Sequence, residues 1–287
     1  MESRPPQEPP QRPSSARKPN GVGGPPTPAW LWLVLFTIVT AATPLLIAAI
    51  GELVVERAGV LNLGVEGMML CGAVCGFGAT ALTGSLFIGF LAAVTAGVAA
   101  AMIFAVLTLS LTANQVATGL ALTIFGVGVS SLIGKPFVGR TVGRLEAFLP
   151  SALSDHPILR VVFGYDILVY AAIALTFGVA WFLKSTRPGL ILRAVGESDS
   201  SAHVIGYPVI AIRYAATAFG GALAGLGGAY FSLALTPMWA DRLTAGRGWI
   251  ALALVVFSSW MPWRVVIGAY LFGTVSILGF ALQSKQL

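Results

Sequence analysis

The stretch LFIGFLAAVTAGVAAAMIFAVLTL, residues 86–109, decides the fold class of this chain. It is continuously apolar and rich in alanine. A helix needs about 20 apolar residues to cross a bilayer, whereas the strands of a membrane barrel alternate apolar and polar residues over about 10 positions. Helices and closed barrels are the two structures that satisfy backbone hydrogen bonds in lipid. The stretch therefore predicts a transmembrane helix.

The rest of the chain has the same apolar character. Of its 287 residues, 56% are hydrophobic and 10% are charged, whereas a soluble domain carries about 25% charged residues. We therefore expect an all-α protein, a polytopic transmembrane helix bundle of about eight spanning or partly spanning segments. The other candidate segments are 30–50 (bent near Pro44), 59–80, 114–134, 161–183, 208–234, 248–260 and 263–280.

Two regions differ in composition. Residues 1–29 are rich in Pro, Arg, Ser and Gly and lack apolar periodicity, so we expect a disordered tail. The basic residues of this tail outnumber its acidic residues, which favours a cytoplasmic N-terminus. Residues 30–287 are expected to form one transmembrane domain.

The order of the loops raises a question of topology. With the N-terminus inside, simple alternation of the segments places 135–160 inside and 184–207 outside. Both loops carry basic residues, so their charge does not choose cleanly between the two orientations. A half-spanning or re-entrant piece would reverse this order. We expect it within 51–80, where acidic residues and Asn62 lie among several glycines, since non-helical backbone is tolerated at membrane depth where it lines a cavity.

Charge and motif content exclude several classes of function. The net charge of +6 comes from the tail and short loops, which is typical of topology signals and not of a nucleic-acid surface. Cys71 and Cys75, inside an apolar segment, are predicted to be small buried hydrophobes. With two histidines and no phosphate-binding loop, we expect neither a metal site nor an enzyme. Any ATP would be bound by another chain.

Asn62 and Glu66 are the first candidate site residues. They are four residues apart and therefore share a helix face. A charged side chain at the bilayer centre costs about 2.5–3.5 kcal/mol, so Glu66 is not expected to face lipid. Two interpretations stay open: the pair lines a polar pathway, or it lies at an interface and supports packing.

Three polar residues begin the next apolar segment: Asn114, Gln115 and Thr118. Amides and hydroxyls suit a polar, uncharged solute, because they bond its hydroxyl groups without requiring a counter-charge. Asn114 has a second interpretation, as the N-terminal cap of the helix.

Two further segments stand out. Residues 185–209 predict a short interfacial helix broken at Gly189 and Gly206, or alternatively an ordinary solvated loop. Residues 219–232, FGGALAGLGGAYFS, place small residues every fourth position, which predicts a helix-packing ridge.

Four stretches together resemble a known family. They are ERAGVLNLGVEGMMLCGA (56–73), ANQVATGLALTIF (113–125), TRPGLILRAVGESDSSAHVIGYPV (186–209) and GRGWIALALVVFSSWMPWRVVIGAYLFG (246–273). In this order they resemble permease subunits of ATP-binding-cassette importers, in the superfamily of branched-chain amino acid, ribose and nucleoside permeases. The match is to the nucleoside or simple-sugar subgroup and covers nearly all of the membrane part.

The resemblance implies a function that depends on partners. The 185–209 loop would dock into separate ATPase subunits. Arg187 and Gly189 belong to this loop; Arg193, Gly196 and Glu197 match its most recognisable positions, and Gly206 follows its helix. A second permease chain, identical or related, and an extracytoplasmic solute-binding lipoprotein would complete the importer in the plasma membrane. Nucleosides are the first expected cargo, simple sugars the second and branched-chain amino acids the third.

The resemblance also assigns sides and roles. It places 184–207 inside, 235–247 outside and 261–264 inside, which requires the reversal expected in 51–80. Asn62, Glu66 and Gln115 match positions in the family's hallmark segments, and with Asn114 and Thr118 we expect them to line or support the pathway.

Two alternatives stay open. An ion-coupled secondary transporter would have inverted repeats and intramembrane acidic residues. A non-transporting membrane assembly subunit is the other, because the chain stops soon after 263–280, where the resembling permeases continue into another apolar segment.

Overall fold

The computed structural model describes residues 27–146 and 163–284, and side chains over 34–146 and 163–279. Ten α-helices follow one another in those residues. They are α1 Thr27–Arg57, α2 Val65–Thr83, α3 Leu86–Ala105, α4 Gln115–Gly134, α5 Ile167–Ser185, α6 Arg187–Glu197, α7 Asp199–Val204, α8 Val209–Tyr230, α9 Arg247–Phe257 and α10 Pro262–Ser284. A single π-helical turn extends α3 to Ser110 and another extends α8 to Leu235. The predicted tail lies outside the described residues, except for its last three positions, which belong to α1.

The predicted all-α polytopic bundle is confirmed. Within the described chain, seven helices (α1–α5, α8 and α10) are long and apolar enough to cross a membrane. The eighth apolar helix, α9, has 11 residues. At 1.5 Å per residue it rises about 16 Å, about half of a 30 Å hydrocarbon core. The partly spanning element is therefore α9, preceded by non-helical chain at 236–246, and the prediction that it lies in 51–80 is wrong.

The end of α1 and the loops that follow α3, α5 and α9 lie at one face of the bundle, which we name the α6 face. The Arg57 guanidinium donates a hydrogen bond to the Trp260 carbonyl at 2.9 Å. Arg213, at the start of α8, donates to the Ala58 carbonyl at 3.1 Å. The Ser110 hydroxyl bonds the Tyr214 hydroxyl at 2.6 Å.

The opposite face collects the other helix ends. The backbone of Val138 pairs with Trp239, and that of Thr141 pairs with Met238. These residues follow α4 and α8 respectively, so both helices end at this face. The Asp166 carboxylate, which caps the start of α5, accepts a hydrogen bond from the Tyr230 hydroxyl at 2.6 Å near the end of α8.

The direction of α1 corrects the predicted topology. This helix is 31 residues long and uninterrupted, with Pro44 inside it. It ends at the α6 face, so it begins at the opposite face. A cytoplasmic N-terminus and a cytoplasmic 184–207 loop therefore cannot both be right. With α1 in this direction, simple alternation places 184–207 and 261–264 on one side and 235–247 on the other, and no reversal is needed in 51–80.

Small residues allow the central helices to touch. A Cβ at Gly72 of α2 would lie 2.4 Å from the Gly225 Cα atom of α8, and a Cβ at Gly228 would lie 1.9 Å from the Met69 carbonyl. A Cβ at Gly97 of α3 would lie 2.1 Å from the Gly221 carbonyl. The predicted small-residue ridge at 219–232 is therefore confirmed as a helix contact, in which α8 packs against α2 and α3.

Burial separates the inner helices from the outer ones. The most apolar window of α2 is 78% buried, whereas that of α4 is 22% buried. A helix that is apolar all round and enclosed by its neighbours belongs to the core. The core of the bundle is therefore formed around α2, and α4 lies at its outside. Cys71 and Cys75 are free thiols on α2, buried and half-buried respectively.

Candidate functional site

Glu66 is 6% exposed at the start of α2 and bonds the start of α9. Its Oε1 atom accepts hydrogen bonds from the Thr244 hydroxyl at 2.5 Å and the Gly246 amide at 2.9 Å. Its Oε2 atom accepts from the Gly248 amide at 2.6 Å. The first amides of a helix have no partner within it, and Gly246 supplies no capping side chain. Glu66 therefore serves as the cap of α9, with its negative charge at the positive end of the helix dipole.

The two glycines of the Gly246-Arg247-Gly248 sequence allow this contact. Gly246 has φ +82°, in the left-handed region that favours glycine. A Cβ at Gly248 would lie 2.5 Å from the Glu66 Cα atom. Arg247, between them, lies over the Phe231 ring at 4.6 Å from its centroid. The arrangement places a carboxylate, a hydroxyl and the start of the half-length helix together in the interior of the bundle.

Asn62 folds the connection between α1 and α2 back against α1. It is fully buried. Its Nδ2 atom donates to Glu52 Oε2 at 3.2 Å, its amide donates to Glu52 Oε1 at 3.3 Å, and its Oδ1 atom accepts from the Gly64 amide at 3.1 Å. Sequence reasoning did not select Glu52 as a site residue, although an acidic residue in an apolar helix is a signal for one.

Gln115 and Asn114 both bond backbone. Gln115 Oε1 accepts from the Leu61 amide at 2.8 Å, which ties the start of α4 to the same connection. Asn114 Oδ1 accepts from the Ala117 amide at 3.0 Å, the capping geometry that was its second interpretation. Thr118 is half-buried and lines an otherwise apolar cavity of about 450 Å³ between α3 and α4. Thr118 thus lines a cavity, whereas Asn62, Glu66 and Gln115 hold the connections in place through hydrogen bonds.

The 185–209 segment forms two helices, α6 and α7, and the prediction of a break at Gly189 is wrong. Gly189 is the third residue of α6, and its amide donates to the capping Thr186 hydroxyl at 3.2 Å. Its missing side chain serves packing, because a Cβ there would lie 2.0 Å from the Phe182 carbonyl of α5. Gly206 does end the segment, with φ +95° after α7.

The end of α6 packs on the end of α1. A Cβ at Gly196 would lie 2.1 Å from the Arg57 carbonyl, and Gly59, at φ +79°, lies against Gly196 in turn. Arg213 of α8 joins them, with its Nε atom on the Ala58 carbonyl and a guanidinium nitrogen 3.6 Å from the Asp199 carboxylate. We name these contacts the α1–α6–α8 joint. Sequence reasoning missed Gly59 and Arg213, whose partners Gly196 and Ala58 are distant in the chain. It also missed Asp199, which pairs with Arg213.

The charged side chains of α6 lie on its exposed side. Arg187, Arg193 and Glu197 are exposed, whereas Leu192 and Val195 on the other side of the helix are buried. An amphipathic helix held by its apolar side and by a glycine contact presents a polar surface that a partner protein can bind.

Comparison with known proteins identifies the family. Residues 34–286 match the family of permease components of the branched-chain amino acid transport system. The chain is 42% identical over 274 residues to a putative glucose ABC transporter permease of Haloferax volcanii, covering 88% of this chain and 79% of the relative. It is 33% identical to a guanosine ABC transporter permease of Bacillus subtilis, covering 87% and 83%. It is 28% identical to a nucleoside ABC transporter permease of Lactococcus lactis, covering 86% and 82%.

The family match covers most of the chain, and the three relatives above are all named as ABC transporter permeases. Both findings agree with the bundle of apolar helices. The family is one of transport permeases and not of enzymes. The chain therefore belongs to this permease family, in its nucleoside and simple-sugar subgroup, and is a membrane-spanning permease subunit of an ATP-binding-cassette importer.

Proposed function

We propose that this permease carries a nucleoside or a simple sugar across the plasma membrane, driven by ATP hydrolysis in separate ATPase subunits that bind α6 and α7. The observation that carries the proposal is the α1–α6–α8 joint, in which a polar, exposed helix is fixed to the ends of two long helices. The cargo is proposed from the relatives, which are named for glucose, guanosine and nucleosides. ATP is bound by the ATPases, and this chain itself needs no cofactor.

In this proposal, a movement of α6 is transmitted to α9 through a continuous set of contacts. Gly196 touches the end of α1, and Glu52 of α1 bonds Asn62 before α2. Glu66 of α2 then bonds the start of α9. Packed side chains and hydrogen bonds of this kind carry coupling between distant sites. A shift of α6 would therefore move α9, the half-length helix beside non-helical chain.

The proposal also fixes orientation and partners. If α6 binds ATPases, the α6 face is cytoplasmic, and α1 begins on the extracytoplasmic side. The predicted cytoplasmic N-terminus is replaced accordingly. The extracytoplasmic binding lipoprotein then delivers solute to the opposite face, where 235–247 lies. A second permease chain, identical or related, supplies the other half of the pathway.

Uptake by intact cells tests the proposal. Cells that carry the importer are compared with cells that lack this gene, using labelled guanosine, adenosine, ribose and glucose before and after ATP depletion. We expect uptake of one of these solutes to require both the gene and ATP. Uptake that continues on an ion gradient after ATP depletion would establish a secondary transporter instead. Failure to transport any of the four would contradict the cargo proposal.

The site of ATPase binding has its own test. Glu197→Arg reverses an exposed charge on α6, and we expect at least a tenfold loss of uptake and of ATPase copurification at normal permease abundance. Glu146→Arg reverses an exposed charge outside α6 and α7 and serves as the control. Equal ATPase copurification by both variants would contradict the assignment of α6.

A further inference from the structure

An open groove separates α5 from α8 on the side of α6. Its volume is about 700 Å³, within the range of about 300–1,000 Å³ that is usual for ligand sites. Val54 of α1, which is 4% exposed, forms part of its floor. The apolar lining includes Val179, Phe182, Ile191, Ile212 and Phe219.

The groove is as deep as one leaflet of a bilayer. On α5 its lining extends from Leu175 to Phe182, close to the helix end at Ser185. On α8 it extends from the start of the helix to Phe219. At 1.5 Å per residue, the wall on α5 rises about 12 Å and the wall on α8 about 16 Å, whereas half of a hydrocarbon core of about 30 Å is about 15 Å. The wall on α8 therefore matches the apolar depth of one leaflet, and the wall on α5 covers most of it.

A cation lies at the mouth of this groove. Arg187, the first residue of α6, lines the groove and is exposed. No hydrogen bond or ion pair joins its guanidinium to another residue in 34–146 or 163–279. Lys184, three residues earlier, is also exposed. Positive charge thus stands where α5 leaves the apolar region, at the level of the lipid headgroups.

We propose that this groove binds an anionic phospholipid, with one acyl chain between α5 and α8 and the phosphate on Arg187. The guanidinium group matches phosphate through two parallel hydrogen bonds. Basic residues at the membrane surface favour anionic headgroups. The acyl chain contacts Pro188 and Ile191 and thereby supports α6 from its membrane side. The assignment to the cytoplasmic leaflet rests on the proposed function, whereas the binding site does not.

This proposal gives Arg187 a different role from its neighbours on α6. Gly196 lies at the joint with α1, and Arg193 and Glu197 are exposed near that end of the helix. Arg187 lies at the other end, above the groove. The family resemblance assigns Arg187, with the rest of the loop, to ATPase binding. The groove assigns Arg187 to lipid binding instead.

Lipid retention by the purified importer tests the proposal. The importer is reconstituted with phosphatidylglycerol or phosphatidylcholine, and native mass spectrometry counts lipids that stay on the permease after annular lipid is stripped. Arg187→Gln removes the cation, and Arg264→Gln, an exposed arginine on the same face, is its control. Gly178→Leu fills the groove, since a Cβ at Gly178 meets open space. Gly128→Leu, also in open space on α4, is its control.

We expect one phosphatidylglycerol per permease chain, retained in preference to phosphatidylcholine. Arg187→Gln should weaken retention about fivefold, as expected for one basic residue at a membrane surface, and Gly178→Leu should abolish it. The two controls should retain lipid as the unchanged protein does. Because the readout is lipid and not transport, failure of the proposed cargo would leave this result unaffected.

Three outcomes would overturn the proposal. Equal retention of the two lipids would show that the headgroup charge is not recognised. Retention by Gly178→Leu equal to that of Gly128→Leu would show that no acyl chain occupies the groove. Separation of the two permease chains by Gly178→Leu, without loss of lipid, would show that the groove is an interface between permeases.

Discussion

At the start of α2, the Glu66 carboxylate accepts three hydrogen bonds from a segment that follows it by 178–182 residues. One of its oxygens accepts two of these bonds and the other accepts the third. An amide has one acceptor oxygen and would turn its NH2 group toward a backbone amide. This geometry explains why a carboxylate, and not another polar group, is present at this buried position.

Glu66→Gln is therefore expected to destabilise the permease. The variant leaves a backbone donor of α9 without an acceptor, which costs about 1–3 kcal/mol when the donor is buried. Thermal unfolding in detergent, followed by tryptophan fluorescence, should show a clearly lower midpoint. Glu146→Gln, at an exposed position, is the control and should change stability by less than about 0.5 kcal/mol. Equal midpoints for the two variants would contradict the role of Glu66 as the cap of α9.

Asn62 and Asn114 permit a matched comparison of one substitution at two sites. Asn62→Asp places a second carboxylate 3.2 Å from that of Glu52, where like charges repel and burial penalises both. We expect loss of folded protein at the membrane, measured by abundance and by monodisperse elution. Asn114→Asp keeps an acceptor for the Ala117 amide, and Asp caps helices as well as Asn does. The expectation is contradicted if Asn62→Asp folds as well as Asn114→Asp.

Among the elements, the short helix α6 is positioned by glycine contacts near both of its ends. It has 11 residues and touches α5 through Gly189 and α1 through Gly196. Two close approaches near its two ends fix its orientation more firmly than its apolar side alone. We therefore expect the short helix to move together with the ends of the long helices it touches.

Gly196→Ala should disturb this joint. The added Cβ would lie 2.1 Å from the Arg57 carbonyl, so backbone must shift, and overpacking of this kind costs about 1–3 kcal/mol. We expect a lower unfolding midpoint and at least a tenfold reduction of ATP-driven uptake. Gly128→Ala, which meets open space, should change neither. Normal uptake with Gly196→Ala would show that α6 does not act through α1.

Over the whole molecule, the direction of α1 sets the relative sides of the loops that the structure describes. Because α1 runs from the opposite face to the α6 face, the chain begins its first crossing on the side where 235–247 lies. The basic tail alone favours a cytoplasmic start of α1, whereas the proposed binding of ATPases to α6 requires an extracytoplasmic start. The structure gives the sides of the described loops relative to one another, through the helix ends that meet.

Labelling of single cysteines tests this topology. In a variant without Cys71 and Cys75, cysteine is introduced by Thr141→Cys on the opposite face or by Ser200→Cys on α7, both exposed. A membrane-impermeant maleimide should label the first in intact cells and the second after permeabilisation. A peptide tag placed before α1 should be accessible in intact cells, as the cysteine at position 141 is. The reverse pattern would place the α6 face outside and exclude cytoplasmic ATPases as its partners.

The amino-acid sequence by itself determined that this chain is a helical membrane protein, where its long helices lie and which family it resembles. These properties are local, because bilayer thickness acts on each contiguous apolar segment. The tertiary structure alone decided that Glu66 caps α9, that Gly196 meets Arg57 and that α1 begins on the side opposite α6. These properties are not local: a buried polar group must find its partner wherever the fold brings one, and here the partners lie more than 100 residues away in the chain.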